Sequence, residues 1–382
     1  MTLRSLRSPF LVACSALALI SASPVVLAQT SAAATPVPAK PAPPELDWHD
    51  VTQWGVEGRA WNEMPRKRWF QRLPDAAEGK VTPAVWGLSQ DSSGMMVRFK
   101  TDAPSIWAHF VLRSERLSLP HMPATGASGV DLYARDEQGK WRWVNVTKTD
   151  KKEMKVAILS DLAPGLREYA AYLPLFNGPE SLAIGVPKGA KFERLAPRTE
   201  KPIVFYGTSI THGASASRPG MVHPAIIGRH LDRPVINLGF SGNGRMDAAV
   251  GEFLVKIDAA IYVIDCLPNM KAGEVRAKCP AMVKQIRAAR PETPILLVED
   301  RRNTNSWILP ERNQHHTDNH AALREVYDAL KKEGVANVHY LPGDALLGDD
   351  TEGATDGSHP NDLGFMRQAG IFEPALRALL RK

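Results

Sequence analysis

The 382-residue chain is predicted to be an α/β protein: a parallel sheet covered by helices on both faces, preceded by an all-β domain. Three observations predict this. From about residue 200 onward, apolar strand-like runs alternate with amphipathic helical ones, the pattern of a parallel sheet buried on both faces. Before that point, short strands with period-two alternation recur between turn signals, as in a sandwich or jelly roll. And each polar residue that stands out follows one of the late apolar runs, at the carboxyl ends of strands, where open α/β sheets bind ligands.

The N-terminus reads as an export signal over residues 1–28. Arg4 and Arg7 precede a nearly unbroken apolar stretch from Phe10 to Ile20, and Val26-Leu27-Ala28 offers a cleavage site. The stretch is short for a membrane span. Leu11 to Cys14, LVAC, is similar to a lipoprotein box, but the apolar run continues past it as SALALI, which favours simple cleavage and a periplasmic or secreted product without stable membrane insertion. Gln29 to Pro44 carries five prolines among small residues and cannot bury a core, so residues 29–46 are read as a linker.

Residues 47–197 are expected to form the β-domain. Met95 to Lys100, MMVRFK, places Val97 and Phe99 on one face and Arg98 and Lys100 on the other. Ser105 to Arg113, Gly129 to Val146 and Ser181 to Val186 alternate similarly, with Gln138-Gly139 marking a turn. Eight of the nine tryptophans lie here, among them Trp48, Trp61, Trp86, Trp141 and Trp143. They suit either a sugar-stacking surface or core and inter-domain packing.

Residues 198–382 are expected to form the parallel-sheet domain. PIVFYG, PVINLGF, AAIYVIDCL, TPILLVED and ANVHYL are its five strands, and FMRQAGIFEPALRALL is the closing helix. The first strand runs into Gly207-Thr208-Ser209. A serine at a strand-to-helix turn exposes its hydroxyl, with backbone N–H groups nearby for developing negative charge; an ordinary N-cap is the alternative. Gly242, in NLGFSGNG after the second strand, has no Cβ to keep its N–H from a ligand. Asn269, in DCLPNM after the third, can donate from its side-chain amide. Asp356 and His359, in ATDGSHPND after the fifth, are three residues apart, so the carboxylate can hold one imidazole nitrogen while the other points away.

Other classes fit less well. The apolar fraction of 44% is that of a globular chain. The net charge of +6 falls to +4 once Arg4 and Arg7 are removed, and the basic residues form no stripe, which argues against nucleic acid. No phosphate-binding glycine loop follows the first strand, so no nucleotide cofactor is expected. Gly207-Thr208-Ser209-Ile210-Thr211 lacks the last glycine of an α/β-hydrolase elbow. His315, His316, Asp318 and His320 lie close together without a zinc signature; a role in contacting substrate is left open and no metal is expected. Cys266 and Cys279, which follow the leader, are either a disulfide or two buried thiols.

Ser209, Gly242, Asn269 and Asp356-x-x-His359, each after a separate strand, resemble the four sequence blocks of the SGNH (GDSL-like) hydrolases. The usual GDS around the nucleophile is GTS here, and Met270 stands where the third block usually has Asp. Ser128 to Tyr133, SGVDLY, resembles the signature of the GxDLY domain that precedes a subset of these enzymes. The whole is similar to two-domain bacterial carbohydrate esterases. That resemblance implies a flavodoxin-like five-stranded sheet, a Ser209-His359-Asp356 triad, an oxyanion hole of Ser209, Gly242 and Asn269, no cofactor, and an acetylated oligo- or polysaccharide as substrate. A general short-chain or lipid esterase of the same mechanism is the alternative within the class. A carbohydrate-binding protein without catalysis is the alternative outside it.

Overall fold

The computed structural model describes residues 44–381. The expected leader and most of the linker lie outside the described residues, and Leu46 already opens the first strand. Nine strands build the N-terminal domain: β1 (Leu46–Asp50), β2 (Met96–Thr101), β3 (Ile106–Leu112), β4 (Asp131–Arg135), β5 (Trp141–Val146), β6 (Glu153–Leu159), β7 (Arg167–Tyr172), β8 (Pro179–Pro187) and β9 (Phe192–Leu195). They pair antiparallel in two sheets, ordered β1-β8-β3-β6 and β5-β4-β7-β2-β9, and enclose a core that includes Phe99, Phe110, Leu132 and Ile184.

Period-two alternation gives the second sheet two buried faces. Val97, Phe99, Tyr169 and Ala171 point into the sandwich. Met96, Tyr133, Ala170 and Tyr172 point the other way, into a core shared with the C-terminal domain. The DLY of the SGVDLY motif follows this rule. Leu132 faces the sandwich. Asp131 accepts from the Gly220 N–H at 2.7 Å and from Trp143 Nε1 at 2.9 Å. The Tyr133 ring lies against Gly220, where a Cβ would come within 2.4 Å of it. The motif thus ties one domain to the other.

The stretch before β2 departs from the all-β expectation. It carries the helix α1 (Pro83–Ser89), capped by Thr82, and leaves the sandwich to pack on the C-terminal domain. Trp61, Leu73 and Val85 join Ile236, Leu238 and Phe253 in one core. Arg72, fully buried, donates to the carbonyls of Leu88, Asp91, Asn237 and Gly239 at 2.7–3.1 Å. Such a charge is tolerable in an interior only when its N–H groups are this completely used. A four-residue helix, α2 (Ala124–Ala127), also touches the C-terminal domain: Thr125 Oγ1 donates to the Ser217 carbonyl at 2.6 Å.

In the C-terminal domain β10 (Ile203–Gly207), β11 (Val235–Gly239), β12 (Ile261–Asp265), β13 (Ile295–Val298) and β14 (Val338–Leu341) pair in parallel in the order β11-β10-β12-β13-β14. This is a flavodoxin-like order, as the resemblance to the SGNH hydrolases implies, with its switch point between β10 and β12. The helices are α3 (Ser209–His212), α4 (His223–His230), α5 (Ala248–Leu254), α6 (Ala272–Ala289), α7 (Pro310–Lys332) and α8 (Asp362–Leu380). Successive strand residues serve opposite layers. Val204 and Tyr206 meet α5, α6 and α7; Ile203 and Phe205 meet α4 and α8. Cys266 and Cys279 sit in the first of these layers as free buried thiols, and burial pushes the Cys279 thiol up to about 12.

Candidate active site

Right at the switch point, β10 ends at Gly207, the Thr208 side chain accepts from the Ile210 N–H at 3.3 Å, and Ser209 becomes the first residue of α3. A single turn follows before Gly213, at φ 110°, ends it. So short a helix offers individual N–H groups rather than a developed dipole, and the N–H of its first residue has no intrahelical acceptor. Ser209 is 8% exposed, enough to leave a hydroxyl at the rim of an otherwise buried turn.

The Ser209 hydroxyl donates to His359 Nε2 at 2.9 Å. His359 Nδ1–H donates to Asp356 Oδ2 at 2.7 Å. The other carboxylate oxygen accepts from the backbone N–H groups of His359 and Ser358 at 2.7 and 3.0 Å. Burial raises the Asp356 carboxyl, but the backbone and ring N–H groups of His359 and the N–H of Ser358 outweigh it and hold it at about 2. Asp356 is therefore an anion at neutral pH, and it fixes the imidazole with its Nε2 lone pair toward the serine.

Asp356 and His359 belong to a small loop closed by Thr355 N–H to the His359 carbonyl at 2.8 Å. Gly357, at φ 82°, makes the turn between them; a side chain there would also strike Asn305. Thr304 N–H anchors the Gly357 carbonyl at 2.9 Å. Arg301, 4% exposed, grips Ser358 twice, from Nε to its carbonyl at 3.0 Å and from Nη2 to its hydroxyl. Arg301 is held in turn by Asp300, whose second oxygen meets His316 Nδ1 at 2.9 Å.

The remaining predicted residues lie on loops that abut the same strand end. Gly207 O accepts from the Phe240 N–H at 3.0 Å, and Gly244 packs directly against that carbonyl. Gly242, between them, has φ 69° and open space where a Cβ would project. Among the described residues its N–H has no backbone acceptor. With its amide oriented so that the oxygen faces donors, Asn269 accepts from the N–H groups of Asn243 and Gly244 at 3.1 and 3.2 Å. Its Nδ2 then remains a donor. Asp265 is buried at the end of β12; burial pushes its carboxyl up to about 7, against the opposing bond from the Thr211 hydroxyl at 3.0 Å.

The histidines of HHTDNH have other partners. His316 lies between Asp300 and the Asn303 N–H, and His320 Nε2 meets the Asp300 carbonyl at 2.6 Å. Among the described residues no group of three or more His, Cys, Asp or Glu could hold a metal.

A model of the GDSL-like lipase/acylhydrolase family matches residues 200–377, and one described as the N-terminus of SGNH-hydrolase-type esterases, GxDLY, matches residues 46–192. A crystal structure of a GDSL-like lipase assigned in Bacteroides ovatus is 31% identical, with a TM-score of 0.84 and coverage of 88% of this chain and 98% of that one. The chain belongs to the GDSL-like lipase/acylhydrolase family. This SGNH hydrolase shares its whole two-domain fold with more distant proteins. The salicylyl-acyltransferase SsfX3 from a tetracycline biosynthetic pathway is 19% identical, with a TM-score of 0.68 over 87% of this chain and 97% of that one. A family two carbohydrate esterase from Cellvibrio japonicus is 12% identical, with a TM-score of 0.55 over 88% and 98%. No curated protein sequence matches the chain.

The site also contains residues that sequence reasoning did not assign. Arg301 reads in VEDRRN as one more charge after a strand. Trp307, the ninth tryptophan, is 75% exposed on the loop between β13 and α7, two residues from the Asn305 side chain that packs on Gly357. His121 comes from the other domain and stacks on His359.

Proposed function

We propose that this SGNH hydrolase is an exported serine esterase that removes acetyl or other short acyl groups from carbohydrates. The observation that carries the reading is the unbroken chain of hydrogen bonds from Ser209 through His359 to Asp356. His359 takes the Ser209 proton as the hydroxyl oxygen attacks the acyl carbonyl. The resulting oxyanion is stabilised by the N–H groups of Ser209 and Gly242 and by Asn269 Nδ2. The imidazolium, held by anionic Asp356, gives its proton to the departing sugar oxygen, which leaves as the hydroxyl. Water, deprotonated by His359, then attacks the acyl-enzyme; the acyl–oxygen bond breaks, His359 returns the proton to the Ser209 oxygen, and the carboxylic acid is released.

The surroundings of the triad loop support a sugar. Trp307 lines a cavity of about 550 Å³ together with Thr304, Asp344 and Asp349. A flat indole suits the apolar face of a pyranose, and carboxylates accept hydrogen bonds from its hydroxyl groups. Thr304 is the residue whose N–H holds Gly357, so this cavity adjoins the triad loop. Among the described residues no helix is long and apolar enough to cross a membrane. The experiment is acetate release from a panel of acetylated plant and bacterial glycans, with Ser209→Ala as the control. Release by the wild type and none by the variant is expected. Cleavage of long-chain aryl esters in preference to every glycan would contradict the carbohydrate reading.

A further inference from the structure

The N-terminal domain reaches the triad at one point. Leu119 and Met122 pair through reciprocal backbone hydrogen bonds, each 3.0 Å, which leaves Pro120 and His121 as the tip of a tight turn. Proline at the first tip position presets that turn. The His121 ring lies 5.0 Å from the His359 ring, centroid to centroid, with 26° between their planes.

The tip is fixed relative to the nucleophile rather than hung over it. Thr125 Oγ1 is bonded to the Ser217 carbonyl, and Gly126 lies so close to the Ala216 carbonyl that a Cβ would come within 2.1 Å. Ala216 and Ser217 closely follow α3, which begins at Ser209. The contact between the domains therefore sets where His121 sits against the face of His359.

We infer that His121 is a positioning residue of the esterase, which holds the imidazole of His359 face-on and must itself be neutral for turnover. The inference rests on the triad mechanism above. A ring stacked on one face and a carboxylate bonded to Nδ1 leave His359 a single orientation, with Nε2 toward Ser209. In the transition state His359 becomes an imidazolium. A neutral imidazole stacked on it is compatible with that charge; a second imidazolium at this separation repels it. Burial and the neighbouring His359 both lower the His121 pKa, against the opposing pull of Asp356, which favours an uncharged His121 at neutral pH. His359 and Asp356 are the titratable groups that act on it.

The test compares kcat/KM on an aryl acetate for the wild type, His121→Phe and His121→Ala, across the acid range in which intrinsic tryptophan fluorescence shows the fold intact. His121→Phe keeps a stacked ring and removes the titration; His121→Ala removes both. Two protonations should abolish wild-type activity, giving a limiting acid slope of about two in log kcat/KM, and one should do so in His121→Phe, giving about one. At pH 8, His121→Phe should stay near wild type, while His121→Ala loses roughly tenfold or more in kcat. Equal acid slopes in wild type and His121→Phe, or full activity in His121→Ala, would overturn the inference. Undiminished turnover by Ser209→Ala, measured alongside, would instead remove the triad mechanism itself.

Discussion

Arg301 Nε lies 3.0 Å from the carbonyl oxygen of Ser358, the residue between Gly357 and His359. A buried guanidinium thus clamps the turn that sets Asp356 against His359. Asp300 keeps that guanidinium in place, and burial, which would raise the Asp300 carboxyl, is outweighed by Arg301 and His316, which hold it below its ordinary value. Arg301→Lys keeps the charge but loses the planar fork that engages Ser358 twice. Its kcat should fall by roughly ten- to a hundredfold while KM for an aryl acetate changes little. Steady-state kinetics with a circular dichroism check of folding measure this.

Gly242 and Asn269 give a second expectation. Asn269→Ala should lower kcat by roughly a hundred- to a thousandfold, the usual loss of one oxyanion donor. Gly242→Ala meets no neighbour, but φ 69° disfavours a side chain by about 1–2 kcal/mol. The loop should relax, with a fall in kcat and a small drop in Tm, read by kinetics and calorimetry on one preparation.

The legibility of the sequence divides along physical lines. Ser209, Asp356 and His359 could be placed because each follows a strand of a parallel sheet, and such sheets gather those loops at one edge. The apolar runs and amphipathic helices gave a parallel sheet covered on both faces, while the flavodoxin-like arrangement came only from the resemblance to the SGNH hydrolases. Arg301 and Asp300 were hidden because a charge pair after a strand looks like solvated surface until burial is known. His316 stood in a histidine-rich run whose role the sequence left open, and it serves as a hydrogen-bond partner of Asp300. His121 was beyond reach, because its place depends on how one domain docks on the other. The stretch around Arg72 lies outside the sandwich of the β-domain, because Leu73 and Val85 pack on Ile236 and Leu238 of β11 in the core of the C-terminal domain.

Asp265 makes stability depend on pH. Its folded pKa, about 7, lies above the ordinary value, so the native state favours the neutral acid and loses stability as pH rises from about 4 to about 7. Asp265→Asn is neutral throughout and can still accept from Thr211. Its Tm advantage over the wild type should therefore grow across that window and level off above it. Thermal melts at pH 5 and pH 8 measure the trend, and an advantage that shrinks on going to pH 8 would contradict the assigned shift.

Trp307 separates sugar recognition from the chemistry. Trp307→Ala should raise KM for acetylated oligosaccharides by roughly tenfold, the loss of one aromatic contact, and leave kcat/KM for an aryl acetate unchanged. Parallel assays of both substrates on one enzyme preparation distinguish this from a general loss of activity.

The most direct measurement is intact-protein and peptide mass spectrometry on enzyme quenched during turnover of an aryl acetate. A mass increment of one acetyl group, located on Ser209 and absent from Ser209→Ala, is expected. An increment on a different residue, or undiminished turnover by folded Ser209→Ala, would contradict it.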